Sequence, residues 1–105
     1  MAQDYAKAVE WYEKAAAKGN ANAMNSLGFA YKFGQGVAQD DAKAVEWYEK
    51  AAAKGNTTAM NNLGAGYQGR GDYAKAREWY EKAAAKGDYL AKERLKELPL
   101  PLFKR

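Results

Sequence analysis

The sequence contains no cysteine and no histidine among its 105 residues. Without cysteine the chain forms neither disulfides nor thiolate metal sites, and without histidine it lacks the commonest metal ligand and general base. Its acidic residues recur beside lysines in every copy of a repeated stretch, whereas acid–base catalysis needs carboxylates held in differing environments. We therefore expect no enzyme activity, no bound metal and no cofactor.

Long hydrophobic runs are also missing. No stretch approaches the roughly 18 apolar residues of a membrane-spanning helix, and the chain does not begin with a basic segment followed by an apolar run. The length is that of one domain. We expect a soluble protein with no export signal and no membrane partner, cytoplasmic if it is expressed as written.

The excess positive charge is confined to the end of the chain. Of the formal net charge of +4, residues 1–91 contribute +1 and residues 92–105 contribute +3. A nucleic-acid-binding protein more often has a basic stripe along one face with interleaved aromatic side chains, and no such stripe is present. We expect no nucleic-acid partner.

What the sequence does contain is an internal repeat. The stretch EWYEKAAAKG occurs three times without a change, at Glu10–Gly19, Glu46–Gly55 and Glu78–Gly87. The first two copies begin 36 residues apart and the last two only 32. A period of this size indicates an array of stacked supersecondary units.

Capping residues and apolar spacing predict six helices. Each repeated stretch lies between an Asp, suited to an N-cap, and a Gly, suited to a left-handed C-terminal position. A second pattern, A-M-x-x-L-G-x-x-Y, begins at Ala23 and again at Ala59, and a more charged version follows Gly87 as a capping helix. The predicted helices lie near 5–18, 21–33, 41–54, 57–68, 73–86 and 89–97.

Two features of these helices predict how they pack. A glycine within a helix costs about 1 kcal/mol relative to alanine, so Gly28 and Gly64 indicate points where a neighbouring helix passes too closely for a side chain. The Trp-Tyr pair of the repeated stretch stands at the same position in every copy. We interpret both aromatic residues of the pair as core between hairpins.

The spacing of these residues resembles two related families. One set, which closely resembles the Sel-one-like repeat, comprises Ala23, Met24, Leu27, Gly28, Tyr31, Gly34, Gly36, Val37, Asp40, Lys43, Ala44, Trp47, Tyr48 and Gly55. The other set has the spacing of the tetratricopeptide repeat and comprises Leu63, Gly64, Tyr67, Gly71, Tyr73, Ala76, Tyr80 and Ala83. The resemblance implies an all-α fold, a right-handed alpha-alpha solenoid of antiparallel helical hairpins with about six helices. It implies a repeat array over residues 1–98. Beyond the array, the prolines and the composition of residues 99–105 predict an extended apolar and basic tail.

The four-residue difference in spacing falls in a loop. Residues 33–40 form the longer loop of the Sel type, and residues 69–72 form the tight turn of the tetratricopeptide type. Loop closure costs only about 0.6 kcal/mol per doubling of length, so both connections can join the same kind of helix pair.

The resemblance also implies a function. In both families the first helix of each hairpin lines a concave groove that binds extended peptides or protein segments, which makes a non-catalytic binding scaffold the expected role. The groove positions carried over to this sequence are Asn22, Asn25, Ser26, Phe29, Lys32, Phe33, Thr58, Asn61, Asn62, Ala65, Gln68 and Arg94. Asparagine offers a donor and an acceptor to a peptide backbone, and the phenylalanines suit an apolar side chain. The alternative is that these are tolerated surface residues.

The C-terminal tail is a candidate ligand. Pro99 and Pro101 prevent the last helix from continuing. We expect the tail to dock on the last hairpin, in the groove of this chain or in another copy, which would cause self-association, through Leu98, Leu100, Leu102 and Phe103. The alternative is a frayed end.

A second interpretation of the whole sequence concerns its origin. Natural repeats drift, so three identical ten-residue blocks are typical of a recent duplication or of a consensus-type engineered chain. In the latter case the protein is a repeat scaffold with no natural ligand, made to test stability or modularity.

Overall fold

The structure, a computed structural model, describes residues 4–99. The described part contains six α-helices and no strand, which confirms the all-α class. The helices are α1 (Tyr5–Ala17), α2 (Ala21–Phe33), α3 (Asp41–Ala53), α4 (Thr57–Gly69), α5 (Tyr73–Ala85) and α6 (Tyr89–Glu97). None of these helices is long and apolar enough to cross a membrane.

Local capping explains where the helices begin and end. A carboxylate oxygen of Asp4, Asp40 and Asp72 accepts a hydrogen bond from the backbone N–H three residues later, at 3.0 to 3.2 Å, as predicted for these N-caps. Asn20 and Asp88 cap α2 and α6 in the same way. The glycine that closes each repeated stretch has a φ between +91° and +93°, which favours glycine over any residue with a Cβ atom.

The first compact unit, unit 1, spans Met1–Asn56 and contains α1, α2 and α3. Helix α2 packs against both α1 and α3. At Gly28 helix α2 lies against α3, because a Cβ atom there would be 2.5 Å from Cδ1 of Tyr48. This confirms that Gly28 marks a close helix contact, and it shows that the tyrosine ring is what fills the space.

The second compact unit, unit 2, spans Thr57–Arg105 and contains α4, α5 and α6. Helix α5 packs against α4 and α6. Gly64 of α4 repeats the contact of Gly28, since a Cβ atom there would lie 2.5 Å from Cε1 of Tyr80. Leu98, directly after α6, is also buried.

The two inter-helix connections differ in what they contact. In the longer loop, Gly36 has a φ of +83°, and a Cβ atom there would collide with the backbone carbonyl of Tyr5 at the start of α1. In the tight turn, Gly71 has the same φ, but nothing lies within 4 Å of the position its Cβ would occupy. The four extra residues therefore bring the longer loop onto α1.

The predicted role of the Trp-Tyr pairs is wrong for the tryptophans. Tyr48 and Tyr80 are buried, but Trp47 and Trp79 are only half-buried and Trp11 is 68 % exposed. Adjacent helix positions point about 100° apart, so the tryptophan lies at the edge of the face on which the tyrosine is central. The lysine three residues after each tryptophan places its Nζ over the indole ring, at 4.4 to 5.3 Å from the ring centroid.

Candidate functional site

A groove of about 290 Å³ lies between α1 and α2 in unit 1. We call it the unit 1 groove and define it by its nine lining residues. They are Tyr5, Ala8, Val9, Tyr12, Asn25, Ser26, Phe29, Ala30 and Gln35. The lining combines apolar surface from both helices with hydroxyl and amide groups, which is the composition expected of a site for a peptide segment.

Three of the predicted groove positions meet in this groove: Asn25, Ser26 and Phe29. Asn25 and Ser26 lie four and three residues before Phe29 on α2, the spacings at which side chains are neighbours on a helix surface. Phe29 is 45 % exposed, so its ring offers apolar surface to a ligand.

Phe29 and Phe33 form an exposed aromatic pair along α2. Their ring centroids are 4.6 Å apart with the planes tilted by 48°, and Phe33 is 56 % exposed. The ammonium group of Lys32 lies 5.9 Å from the centroid of the Phe33 ring. Phe33 and Lys32 thus lie together but are not among the residues that line the groove.

The contribution of α1 to the groove was missed from the sequence. Tyr12 was interpreted as core between hairpins, Gln35 as part of the longer loop, and Tyr5 was given no role, yet all three line the groove. One signal was available, because Tyr5, Ala8 and Tyr12 recur at helical spacing on one face of α1.

The remaining predicted residue of unit 1, Asn22, is occupied by an internal contact. Its Oδ1 accepts a hydrogen bond from Nδ2 of Asn56 at 2.9 Å. This bond ties the first turn of α2 to the segment that follows α3. Asn22 therefore has a structural partner and lies outside the groove lining.

In unit 2, two predicted residues hold the fold together. Asn61 was expected to face a ligand at the surface. It is instead buried, and its Nδ2 donates to Oδ2 of Asp88 at 2.7 Å. Gln68 accepts a hydrogen bond through Oε1 from the hydroxyl of Tyr80 at 2.9 Å. Nδ2 of Asn61 and Oε1 of Gln68 are thus engaged within the unit.

The other predicted residues of unit 2 lie at its surface or at its margin. Thr58 and Ala65 are exposed on α4, and Asn62 is partly buried. Arg94 of α6 is partly buried, and its Nε has no hydrogen-bond partner. Helix α4 thus presents a smaller apolar side chain than α2 at this position, because Ala65 stands where α2 has Phe29.

The ionisable groups of the described residues show no arrangement suited to a metal. Residues 4–99 contain no cluster of three or more acidic residues that could hold a metal ion. Burial raises the pKa of Tyr48 from 10.0 to about 12, because the tyrosinate would lose its hydration under α2.

Comparison with known families divides the chain at the boundary between the two units. A model described as Sel1 repeat matches residues 1–20 and 21–56, and a model described as Tetratricopeptide repeat matches residues 57–86. Both matches confirm the resemblance inferred from the residues. No curated protein matches the chain significantly.

Two solved structures with similar folds support the same assignment. A protective antigen present in uropathogenic Escherichia coli strains, which displays an SLR fold, is 42 % identical with a TM-score of 0.82. A Sel1 repeat protein from Oxalobacter formigenes is 37 % identical with a TM-score of 0.78. The matches cover 90 % and 92 % of this chain, but only 21 % and 41 % of those proteins. The helical-repeat fold class is thereby confirmed, and repeats of these two families are generally protein-interaction scaffolds and typically non-catalytic.

Proposed function

The chain belongs to the Sel1 repeat family, and on this premise we propose that it is a non-catalytic scaffold that binds a peptide or protein segment in the unit 1 groove. The observation that carries the proposal is the groove itself, in which residues of α2 predicted to face a ligand lie opposite tyrosines of α1. A preformed groove lowers the cost of binding because the protein side chains are already ordered.

The lining suits a segment with alternating apolar and polar contacts. Phe29 and Tyr12 offer aromatic surface, which contributes large contact areas at protein interfaces. Ser26 supplies a hydroxyl, and Gln35 supplies a side-chain donor and acceptor, for the backbone of a bound segment. Specificity would then come from the apolar side chain that lies against Phe29.

The predicted residues of unit 2 enter the proposal as a separate surface on α4. Thr58, Asn62 and Ala65 keep their predicted role as ligand-facing positions. Asn61 and Gln68 do not, because their hydrogen bonds to Asp88 and Tyr80 stabilise unit 2.

We also propose that the tail causes self-association, but through fewer residues than the sequence predicted. Leu98 is buried in its own unit, and the backbone oxygen of Pro99 accepts a hydrogen bond from Arg77 at 2.9 Å. Leu100, Leu102 and Phe103 lie outside the described residues. Any contact between two copies would therefore use these three residues rather than Leu98.

The engineered-scaffold interpretation is favoured by one observation only, the three identical copies of EWYEKAAAKG. It predicts that no peptide is selected by the groove. The experiment that tests the proposed function therefore decides between the two interpretations.

The test is a selection from a random peptide library on the parent protein and on two single variants. Phe29→Ala removes the aromatic ring from the groove, and Tyr89→Ala removes a more exposed ring from α6 as a matched control. We expect one motif to be enriched by the parent and by the control. Its affinity for Phe29→Ala should fall by more than about 1 kcal/mol, the usual threshold for an important interface residue.

Either of two results would contradict the proposal. One is equal enrichment of the motif by Phe29→Ala, which would place the binding surface elsewhere. The other is the absence of any enriched motif, which would favour a scaffold with no ligand. Circular dichroism of all three proteins checks that each variant keeps its helices.

A further inference from the structure

Helix α4 is buried in its first part only. None of residues 65–69, which we call the α4 end, is buried. The buried residues of the helix all precede them: Ala59, Met60, Asn61, Leu63 and Gly64. Segments with few buried side chains are the ones that open locally while the rest of a protein stays folded. The α4 end therefore has little burial to keep it helical.

Two glycines in the α4 end have no packing reason. A Cβ atom at Gly64 would collide with the Tyr80 ring, but nothing lies within 4 Å of the Cβ positions at Gly66 and Gly69. Neither of these two glycines has a positive φ. A glycine in a helix interior disfavours the helical state by a factor of about five relative to alanine. Gly66 thus weakens the helix without any gain in packing.

Helix α2 shows that the fold accepts side chains at these positions. Ala30 and Phe33 stand where the α4 end has glycine. The Phe33 ring centroid lies 4.6 Å from that of Phe29, four residues earlier, and apolar pairs at this spacing stabilise a helix. The last turn of α2 also contains Lys32, a favourable charge near a helix C-terminus, whereas the last turn of α4 contains no basic residue. All these differences make the α4 end the weaker of the two.

Polar contacts with α5 hold the α4 end in place. Oε1 of Gln68 accepts the hydrogen bond from the hydroxyl of Tyr80 at 2.9 Å. The ammonium group of Lys75 lies 5.4 Å from the centroid of the Tyr67 ring. A hydrogen bond within a protein replaces one with water, so its net contribution to stability is small. These contacts position the α4 end, but their loss adds little to the cost of opening it.

We propose that the α4 end is a lid over the hydroxyl of Tyr80, and that it opens while the rest of unit 2 stays folded. Residues 57–64 keep α4 on α5 through their buried side chains, and the five residues after Gly64 unwind. In the open form the Tyr80 hydroxyl and the Gln68 amide can bond to a partner. Unit 2 thus holds a hydrogen-bonding surface that its closed form conceals. This inference does not depend on the proposed function.

The test is hydrogen exchange of the full chain, followed for each amide by NMR. The amides of residues 67–69 are compared with those of residues 31–33, which occupy the same positions in α2, and with those of residues 60–64. After correction for intrinsic exchange rates, we expect residues 67–69 to exchange about tenfold to a hundredfold faster than either set. This ratio combines the missing propensity, side-chain pair and charge of the α4 end.

Two substitutions in α4 separate local opening from unfolding of the whole unit. Gly66→Ala should slow the exchange of residues 67–69 about fivefold, because it stabilises the closed form. The matched control, Thr58→Ala at an exposed position of the first turn, should leave these amides unchanged, because residue 58 stays helical when the lid opens. Low concentrations of urea should accelerate residues 60–64 but not residues 67–69, since opening five residues exposes little surface.

A second pair of substitutions tests the contact under the lid. Tyr80→Phe keeps the ring and removes the bond to Gln68, so residues 67–69 should exchange about fivefold faster. Tyr48→Phe, at the equivalent position in α3, should not affect them. The inference is wrong if residues 67–69 exchange as slowly as residues 31–33, or if urea accelerates them in step with residues 60–64. No response to Tyr80→Phe would show that the α4 end does not close over this hydroxyl.

Discussion

At the scale of single residues, the tyrosines of the three identical stretches have different environments. Tyr80 is buried and donates its hydroxyl hydrogen to Gln68, whereas Tyr48 is buried beside a helix that has Lys32 at the position of Gln68. Tyr12 lies partly exposed in the groove. Each environment is set by the helix that covers the tyrosine, so the repeated stretch alone does not determine it.

The raised pKa of Tyr48 predicts a loss of stability at high pH. The unfolded chain releases this proton near pH 10.0, but the folded chain retains it until about pH 12. The contribution of the protonated Tyr48 to the free energy of unfolding is therefore fully present below pH 10. It is lost as the pH rises toward 12, at about 1.4 kcal/mol per pH unit. Urea unfolding between pH 8 and 11.5 should show a shallower decline for Tyr48→Phe than for the parent.

The control for this experiment is Tyr89→Phe, which removes the hydroxyl of an exposed tyrosine. Its decline with pH should match that of the parent, because the hydroxyl of an exposed side chain is hydrated in the folded and in the unfolded chain alike. A Tyr48→Phe protein that declines as steeply as the parent would show that other groups cause the loss.

Residues whose role depends on distant partners could not be read from the sequence. Asn61 was predicted to face a ligand, but Asp88, 27 residues later, holds it inside unit 2. Arg77 stands where the earlier copies have valine, and it donates to the backbone oxygen of Pro99, 22 residues later. In both cases a hydrogen bond between distant residues decided the role.

At the scale of elements, the sequence was informative because helix boundaries depend on local contacts. An aspartate caps the N–H three residues later, and a glycine adopts a positive φ, without help from the rest of the fold. The close contacts at Gly28 and Gly64 were also predictable, since a glycine within a helix needs a packing reason. The contact between the longer loop and α1 was not predictable, because it joins Gly36 to Tyr5 across 31 residues.

The different contacts of the two loops predict different costs for the same substitution. Gly36→Ala should destabilise the protein by about 2–4 kcal/mol, since alanine is strained at a φ of +83° and its Cβ would also collide with the Tyr5 carbonyl. Alanine at position 71 would have the same φ, but its Cβ atom would lie in open space. Gly71→Ala should therefore destabilise the protein by about 1 kcal/mol.

Urea unfolding of the two variants measures this difference, and each serves as the matched control for the other. Hydrogen exchange adds a local readout, because the amides of the first turn of α1 should lose protection in Gly36→Ala only. Equal destabilisation by both substitutions would mean that the loop does not stabilise α1.

At the scale of the whole molecule, the two compact units coincide with the two repeat families. Unit 1 ends at Asn56, where the Sel1 match ends, and unit 2 begins at Thr57, where the tetratricopeptide match begins. The residue spacing indicated two repeat families, one before this boundary and one after it. It did not predict that contacts within the chain would divide at the same residue, because that division depends on packing throughout each unit.

The end of the chain offers a prediction about how unit 2 is completed. Leu98 is 5 % exposed, and burial of a leucine side chain contributes about 2 kcal/mol. A chain that stops at Glu97 should therefore unfold about 2 kcal/mol more easily than the full chain, whereas a chain that stops at Pro99 should retain the full stability. Urea unfolding of the three chains, measured over a hundredfold range of protein concentration, checks this expectation.

The concentration series also tests self-association through the tail. Contacts of Leu98 within unit 2 stabilise each copy independently, so the difference between the two shortened chains should not depend on concentration. If residues 100–105 join two copies, the full chain alone will gain stability as its concentration rises, and its sedimentation mass will exceed that of the chain ending at Pro99. Equal stability of the chains ending at Glu97 and Pro99 would instead show that Leu98 contributes nothing, and that unit 2 is complete at the end of α6.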